Sequence, residues 1–479
     1  MPKNMQSFII HYGLAALKNF LKGKNYKLIF SSIFMIKLHA VGGYDEVGRN
    51  MTCLELDREA FIFDCGLFLP PIVEMEDSMK KNAYSEKMLR SIDAIPNDLV
   101  LDDAKIRDKV KALLVTHAHL DHVGAIPFLA GRYPDAEIAA TPFTIEVLKT
   151  LLRDNEIKLK NSLRVVSPNS SFKNGKYKIE FINMTHSTIQ TAMIAVHTDK
   201  GVVLYANDFK FDNSPIVGKK PNYERLVELG NEGVLALVVD SLYSGDERKT
   251  PSEKIARDLL EDVLLGTNNK EGCIIVTTFS SHIARLKSIV DFGKQLGRKV
   301  LFLGRSLHKY VGAAAKLQLA PFINDIETVT YANEIKRKLK QVEKERDKWL
   351  VVCTGHQGEP NSVLDRLSRD YWDFKFSSKD HVIFSSRIIP SPINIANRSR
   401  IEKRLKEKGV RIFTDVHTSG HCGREDLRDL LTMIKPKNII PAHGDLDKRI
   451  PLAELAGEMG YKLGENLHLL QNGQALKLD

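Results

Sequence analysis

An α/β fold with two kinds of sheet is predicted for this chain, on three observations. From residue 35 to about 235, short apolar strands alternate with helices and charged segments in a layered pattern. From 236 to 412, buried-looking strands each followed by a turn and a helix repeat as parallel βαβ units. From 413 to 479 the first style returns, so the parallel units interrupt it.

Taken in order, residues 1–34 are basic and partly apolar. Their uncharged runs are too short for a spanning helix, and no small-residue cleavage site stands out. The expectation is that Met35 is the true start and that 1–34 is an upstream misreading. An amphipathic appendage for membrane or partner contact is the competing reading. Met35 opens MIKLHAVGGYDEVGRN, a first strand and glycine turn, and MTCLELD and AFIFDCG follow as strands. Residues 77–111 are charged and read as helix or loop.

The run Leu113-Leu114-Val115 is a buried strand that stops at Thr116. Directly after it stand His117, His119, Asp121 and His122, spaced H-x-H-x-D-H. Three imidazoles and a carboxylate crowded at a strand end are too costly to keep together unless a cation binds them. A purely structural cluster is the competing reading. Imidazole and carboxylate suit zinc best, with manganese as the alternative where carboxylate and water dominate.

Further strands and helices then alternate: EIAAT, the helix PFTIEVLKTLLR, LRVVS, YKIEFINMTH, TAMIAVHT and GVVLYANDF. His186 closes one of these strands and Asp208 another, so both can converge with His117 on one rim of the sheets. In the parallel stretch the strands are LALVVDS, CIIVTTF, KVLFLG, LVVCTG and HVIFSS. The charged segment 333–348 reads as a solvated helix, with RNA contact as the lesser reading. After 413 come His417 and His421 in DVHTSGHCGREDL, and His443 in NIIPAHGD at another strand end.

The chain has 479 residues, 43% of them hydrophobic, enough for a large core and two domains. A net charge of +10 favours a polyanionic partner such as nucleic acid. The five cysteines form no C-x-x-C pair and are odd in number, which argues against a disulfide framework and suits a reducing, cytoplasmic compartment.

With its ligand candidates in this order, the chain resembles the metallo-β-lactamase superfamily, and the insertion between Asp208 and His443 resembles a β-CASP domain. The segments GGYDEVGRNMT, THAHLDHVGAIP, TTFSSHIARL, TGHQGEPNSVLDRLS, VIFSSRIIP, TSGHCGREDL and PAHGD resemble the archaeal form of the ribonuclease J family. The resemblance implies an αββα sandwich, 35–235 with 413–479, interrupted by a β-CASP domain with a parallel sheet, 236–412.

It further implies two zinc ions per subunit, with manganese or magnesium as alternatives. His117, His119 and His186 would hold one, Asp121, His122 and His443 the other, and Asp208 would bridge them. Asp64 would support the ligands from behind. His421 would be the general acid, oriented by Asp240, with His417 structural. The loop with Gly355, Gln357 and Gly358, the pair Ser385 and Ser386, and Gly420 would bind the RNA 5′ end. His282, Arg285, Arg305 and Ser306 would line its channel.

The activity implied is processive 5′→3′ degradation of single-stranded RNA to mononucleotides, preferring a 5′-monophosphate, with no membrane partner. A homodimer and association with an RNA helicase or the ribosome are further expectations. The alternatives are an endoribonuclease of the RNA 3′-end cleavage-factor type, a DNA-processing relative, a small-molecule lactamase or thioesterase, and a catalytically dead RNA-binding module. The insertion argues against the lactamase. The complete ligand set argues against the dead module.

Overall fold

A computed structural model describes residues 35–78, 84–389 and 391–479. The expectations for residues 1–34 lie outside the described residues. Strands are numbered in chain order. The first sheet holds β1 (Ile36–Gly42), β2 (Met51–Leu56), β3 (Glu59–Phe63), β4 (Val110–Val115), β5 (Glu137–Ala140) and β6 (Leu163–Val165), with β19 (Ala475–Leu478) beside β1. Its first half is antiparallel, and β3 to β6 run parallel.

The second sheet runs β18 (Ile439–Ala442), β11 (Val234–Asp240), β10 (Gly201–Ala206), β9 (Ala192–Thr198), β8 (Tyr177–Asn183), β7 (Ser170–Asn174). Side chains alternate across both sheets, as strand geometry requires. Leu54, Phe61, Phe63 and Leu114 therefore meet Phe181, Ile194, Tyr205 and Val238 in one dry layer between the sheets. The opposite faces are covered by helices: Leu113 and Val115 pack with Leu129 and Leu148, and Leu237 and Val239 with Leu427 and Leu455. This is the αββα sandwich the resemblance implies.

The third sheet is wholly parallel: β14 (Ile326–Val329), β13 (Lys299–Leu303), β15 (Trp349–Cys353), β12 (Ile274–Thr277), β16 (His381–Phe384), β17 (Arg411–Phe413). Helices cover both of its faces. The helix Ala332–Lys344 buries Ile335, Leu339 and Val342 on one stripe and turns Lys336, Lys340 and Lys344 to solvent, the solvated helix expected. Ala118, Phe143, Val147 and Ile189 of the sandwich share a buried cluster with Ile283, Leu286 and Phe302 of the insert. The two sheet systems are thus joined by a common apolar contact.

One assignment is corrected. The strand LALVVDS, expected in the parallel insert, is β11 and lies in the second sheet of the sandwich, between β10 and β18. All seven of its residues are buried. A uniformly apolar strand suits either parallel environment, so its pattern cannot choose between them. All five cysteines are free and buried. Among the described residues no helix is long and apolar enough to cross a membrane.

Candidate metal centre

Five strands of the sandwich end on one rim, and each delivers a polar side chain there. β4 runs out into His117, His119, Asp121 and His122; β8 leads to His186, β10 to Asp208, β11 ends at Asp240, and β18 leads to His443. Asp64, Asp208 and His443 adopt left-handed backbone, with φ of 56°, 53° and 58°. Such conformations are disfavoured for non-glycine residues and turn the chain sharply at the strand end. The turn after β3 needs glycine: a Cβ on Gly66 would lie 1.6 Å from the Asp121 carbonyl oxygen. That close approach seats the H-x-H-x-D-H loop against the sheet.

The side chains form two overlapping groups. Ligand atoms of His117, His119, His186 and Asp208 lie within 4.8 Å of one another, as do those of Asp121, His122, Asp208 and His443. Asp208 is common to both and 1% exposed. Its Oδ2 stands 3.5 Å from His117 Nε2, 3.2 Å from His122 Nε2 and 3.5 Å from His186 Nε2. Its Oδ1, 3.6 Å from His443 Nε2, is buried without a hydrogen-bond partner. A buried carboxylate with an orphaned oxygen among converging imidazoles fits a bound cation.

Electrostatics agree with that fit. Burial, reinforced by neighbouring imidazoles, holds His117 and His186 well below the usual histidine range and lowers His119 to about 4. These rings are neutral, with lone pairs free for a metal. Burial alone would raise the Asp208 carboxyl, but His122, His443 and His421 outweigh it and hold it well below the usual carboxylate range. Burial would likewise lower His122, but Asp208, Asp121 and Asp64 hold it up instead. Metal binding there must displace a proton.

Each of these histidines uses its other nitrogen. His117 Nδ1 is 2.9 Å from Thr116 Oγ1, His122 Nδ1 2.7 Å from Asp64 Oδ2, and His186 Nδ1 2.7 Å from the Gly420 carbonyl. His443 Nδ1 is 3.0 Å from Asn50 Oδ1, and His119 Nε2 is 3.1 Å from Ser281 Oγ. Asp64 also accepts from the Thr116 backbone N–H, so it braces the loop from behind.

His421 sits beside this centre. Its Nδ1 is 2.8 Å from Asp240 Oδ2, its Nε2 is 3.9 Å from Asp208 Oδ2, and its ring stacks on His443. Burial would lower it, but Asp240 and then Asp208 raise it to about 9. Asp208, Asp240, His421 and His443 also form a compact group that could hold an ion. His417 is half-buried, with Nδ1 3.4 Å from the Arg285 guanidinium.

The residues expected to contact RNA divide. Arg305 and Ser306 are exposed at the start of the helix Arg305–Lys316. Gly355 and Gly358 take φ of 120° and 81°, and Gln357 donates to the Arg387 carbonyl and accepts from the Ile389 N–H. That clamps the glycine loop onto the segment following Ser386, whose buried Oγ has no hydrogen-bond partner. Arg285 and Ser385 are corrected: both are fully buried. Arg285 grips both oxygens of Glu253 and the Ser385 Oγ and carbonyl, while Ser385 Oγ donates to the Val416 carbonyl. His282 is also corrected, since it is 3% exposed and paired with Glu253. The Gly420 backbone carbonyl serves His186.

Sequence reasoning missed Asn50, Thr116 and Ser281, and also Tyr243, whose ring lies 5.9 Å from that of His421. Asn50 and Ser281 lie within GGYDEVGRNMT and TTFSSHIARL, but nothing local marks them as histidine partners.

Three family models match the chain. Residues 44–231 match the metallo-beta-lactamase superfamily, 271–403 the beta-CASP domain of ribonuclease J, and 408–465 the Zn-dependent metallo-hydrolase RNA specificity domain. A ribonuclease J of Methanocaldococcus jannaschii is 42% identical over 93% of this chain and 99% of its own length. One of Pyrococcus abyssi is 40% identical over 94% and 99%. The fold is shared, at TM-score 0.63 and 16% identity, with a crystal structure of a protein of unknown function from Enterococcus faecalis, covering 93% of this chain and all of that one.

Proposed function

Because the chain belongs to the ribonuclease J family, we propose that it is a zinc-dependent 5′→3′ exoribonuclease acting in the cytoplasm on single-stranded RNA with a 5′-monophosphate. The observation that carries the reading is a short path from an anion cradle to a proton donor. The clamped glycine loop and the unpartnered Ser386 Oγ offer donors for a terminal phosphate. Arg387, the next residue, interacts with Tyr243, whose ring is 5.9 Å from His421. A 5′ phosphate held there would be linked by these contacts to the proton donor, which supports cleavage counted from the 5′ end.

His117, His119 and His186 would hold one zinc and Asp121, His122 and His443 the other, with Asp208 between them. Zinc held there would supply Lewis acidity, making a water nucleophilic at neutral pH and offsetting charge that develops on the phosphoryl group. The protein's own groups do the rest. Neutral imidazoles and the ionised Asp208 orient the centre, and protonated His421 gives its Nε2 proton to the departing 3′ oxygen. Asp240 fixes the tautomer through Nδ1 and keeps the ring charged.

The test is a time course on one single-stranded RNA labelled at either end, with 5′-monophosphate or triphosphate, with and without chelator. Mononucleotides appearing from the 5′ end, favoured by monophosphate and lost on chelation, are expected. Internal fragments indifferent to the 5′ group would replace this reading with an endonuclease.

Asp240→Asn tests the donor. His421 stays protonated up to about 9 because a carboxylate faces it. Without that charge its pKa falls, so the alkaline limb of the turnover–pH profile should move to lower pH. An unmoved limb would remove Asp240 from the role.

A further inference from the structure

Of the five histidines around the metal centre, four take their outer hydrogen bond from the sandwich. Thr116, Asp64 and Asn50 supply three of those partners from segments flanking its strands, and Gly420 the fourth from the return segment that leads into the helix Arg424–Ile434. His119 differs. Its partner, Ser281, stands in the turn between β12 and the helix Ile283–Gln295 of the inserted sheet system, 3.1 Å from Nε2. His119 Nδ1 faces inward, 3.2 Å from His117 Nε2 and 3.1 Å from His186 Nε2. For Nδ1 to offer its lone pair, Nε2 must carry the proton and donate it to Ser281 Oγ.

Ser281 is also mounted rigidly. It is 5% exposed. The next residue, His282, accepts from the Arg285 N–H at the helix start and lies 3.3 Å from Glu253. Glu253 in turn is gripped by Arg285, and its backbone N–H donates to Asp212 Oδ2 at 2.7 Å. Asp212 lies on the segment that carries Asp208 out of β10. A second contact crosses at the same loop: Tyr310 of the insert donates to the Ala118 carbonyl, adjacent to His119.

We propose that Ser281 is a positioning residue that fixes His119 from the inserted domain and so couples the seating of that domain to metal affinity at the His117–His119–His186 subsite. RNA bridging the glycine loop of the insert and the metal centre of the sandwich would press the two systems together. It therefore tightens metal binding, and bound metal tightens RNA binding by the same factor. The inference rests on the metal-dependent reading above.

The experiment uses the full chain as wild type, Ser281→Ala and Ser281→Thr. Zinc affinity is measured by competition with a chromophoric chelator and stoichiometry by elemental analysis. Both are repeated with an uncleavable 5′-monophosphorylated RNA. Ser281→Ala should bind one of two ions about 10–100-fold more weakly with an unchanged melting temperature. Ser281→Thr, which keeps the acceptor, should restore affinity. RNA should raise zinc affinity in the wild type and less in the alanine variant. Wild-type affinity in Ser281→Ala would overturn the positioning role, and equal enhancement by RNA in both would overturn the coupling. A wild-type chain that takes up no zinc would instead overturn the metal reading beneath it.

Discussion

Asp208→Asn should lose both metal and activity while keeping the fold. The substitution is close in shape, and asparagine tolerates the left-handed backbone that Asp208 adopts at φ 53°. What it removes is the charge shared by both ligand groups. Without it His117, His122, His186 and His443 converge on a neutral amide, and Asp121 is the one carboxylate left among the ligands proposed for two cations. Zinc affinity should fall by more than about 100-fold, beyond the range for outer partners of a ligand. RNA cleavage should fall below detection. Full metal content by elemental analysis would show that Asp208 is not shared between the ions.

His421→Ala is the second large effect, and it separates chemistry from binding. Turnover should drop by about 10²–10⁴-fold, the usual contribution of a positioned proton donor. Metal content should not change, because His421 takes its close partner from Asp240 and stays 3.9 Å from Asp208. Loss of metal would move His421 into the ligand set, as the compact group it forms with Asp208, Asp240 and His443 also permits. Normal turnover would remove it from the reaction.

Much of the site was legible because its signals are local. The H-x-H-x-D-H spacing packs His117, His119, Asp121 and His122 into one turn, and no ordinary core tolerates that without a cation. His186, Asp208 and His443 were readable because each follows a strand that runs out, and strands of a layered sheet end on shared rims. The alternation of β12 to β16 with helices likewise announced a parallel sheet.

Other features were not local. Arg285 looked like a channel residue and Ser385 like a contact for the RNA 5′ end, yet the Glu253 carboxylate holds the one and the Val416 backbone carbonyl the other. A basic residue at the start of a helix looks the same in sequence whether it faces solvent or a carboxylate from another helix. β11 has no alternation to tell one sheet from another. Ser281 is 162 residues from His119, and only the packing of the insert on the sandwich brings them together.

By itself, then, the sequence determined the chemistry at the strand ends and the kinds of sheet that present it, because ligand spacing and strand periodicity are short-range properties. The tertiary structure alone decided which sheet receives β11, which charges are buried, and which partner holds each histidine. Those depend on surfaces that meet only after the chain has folded.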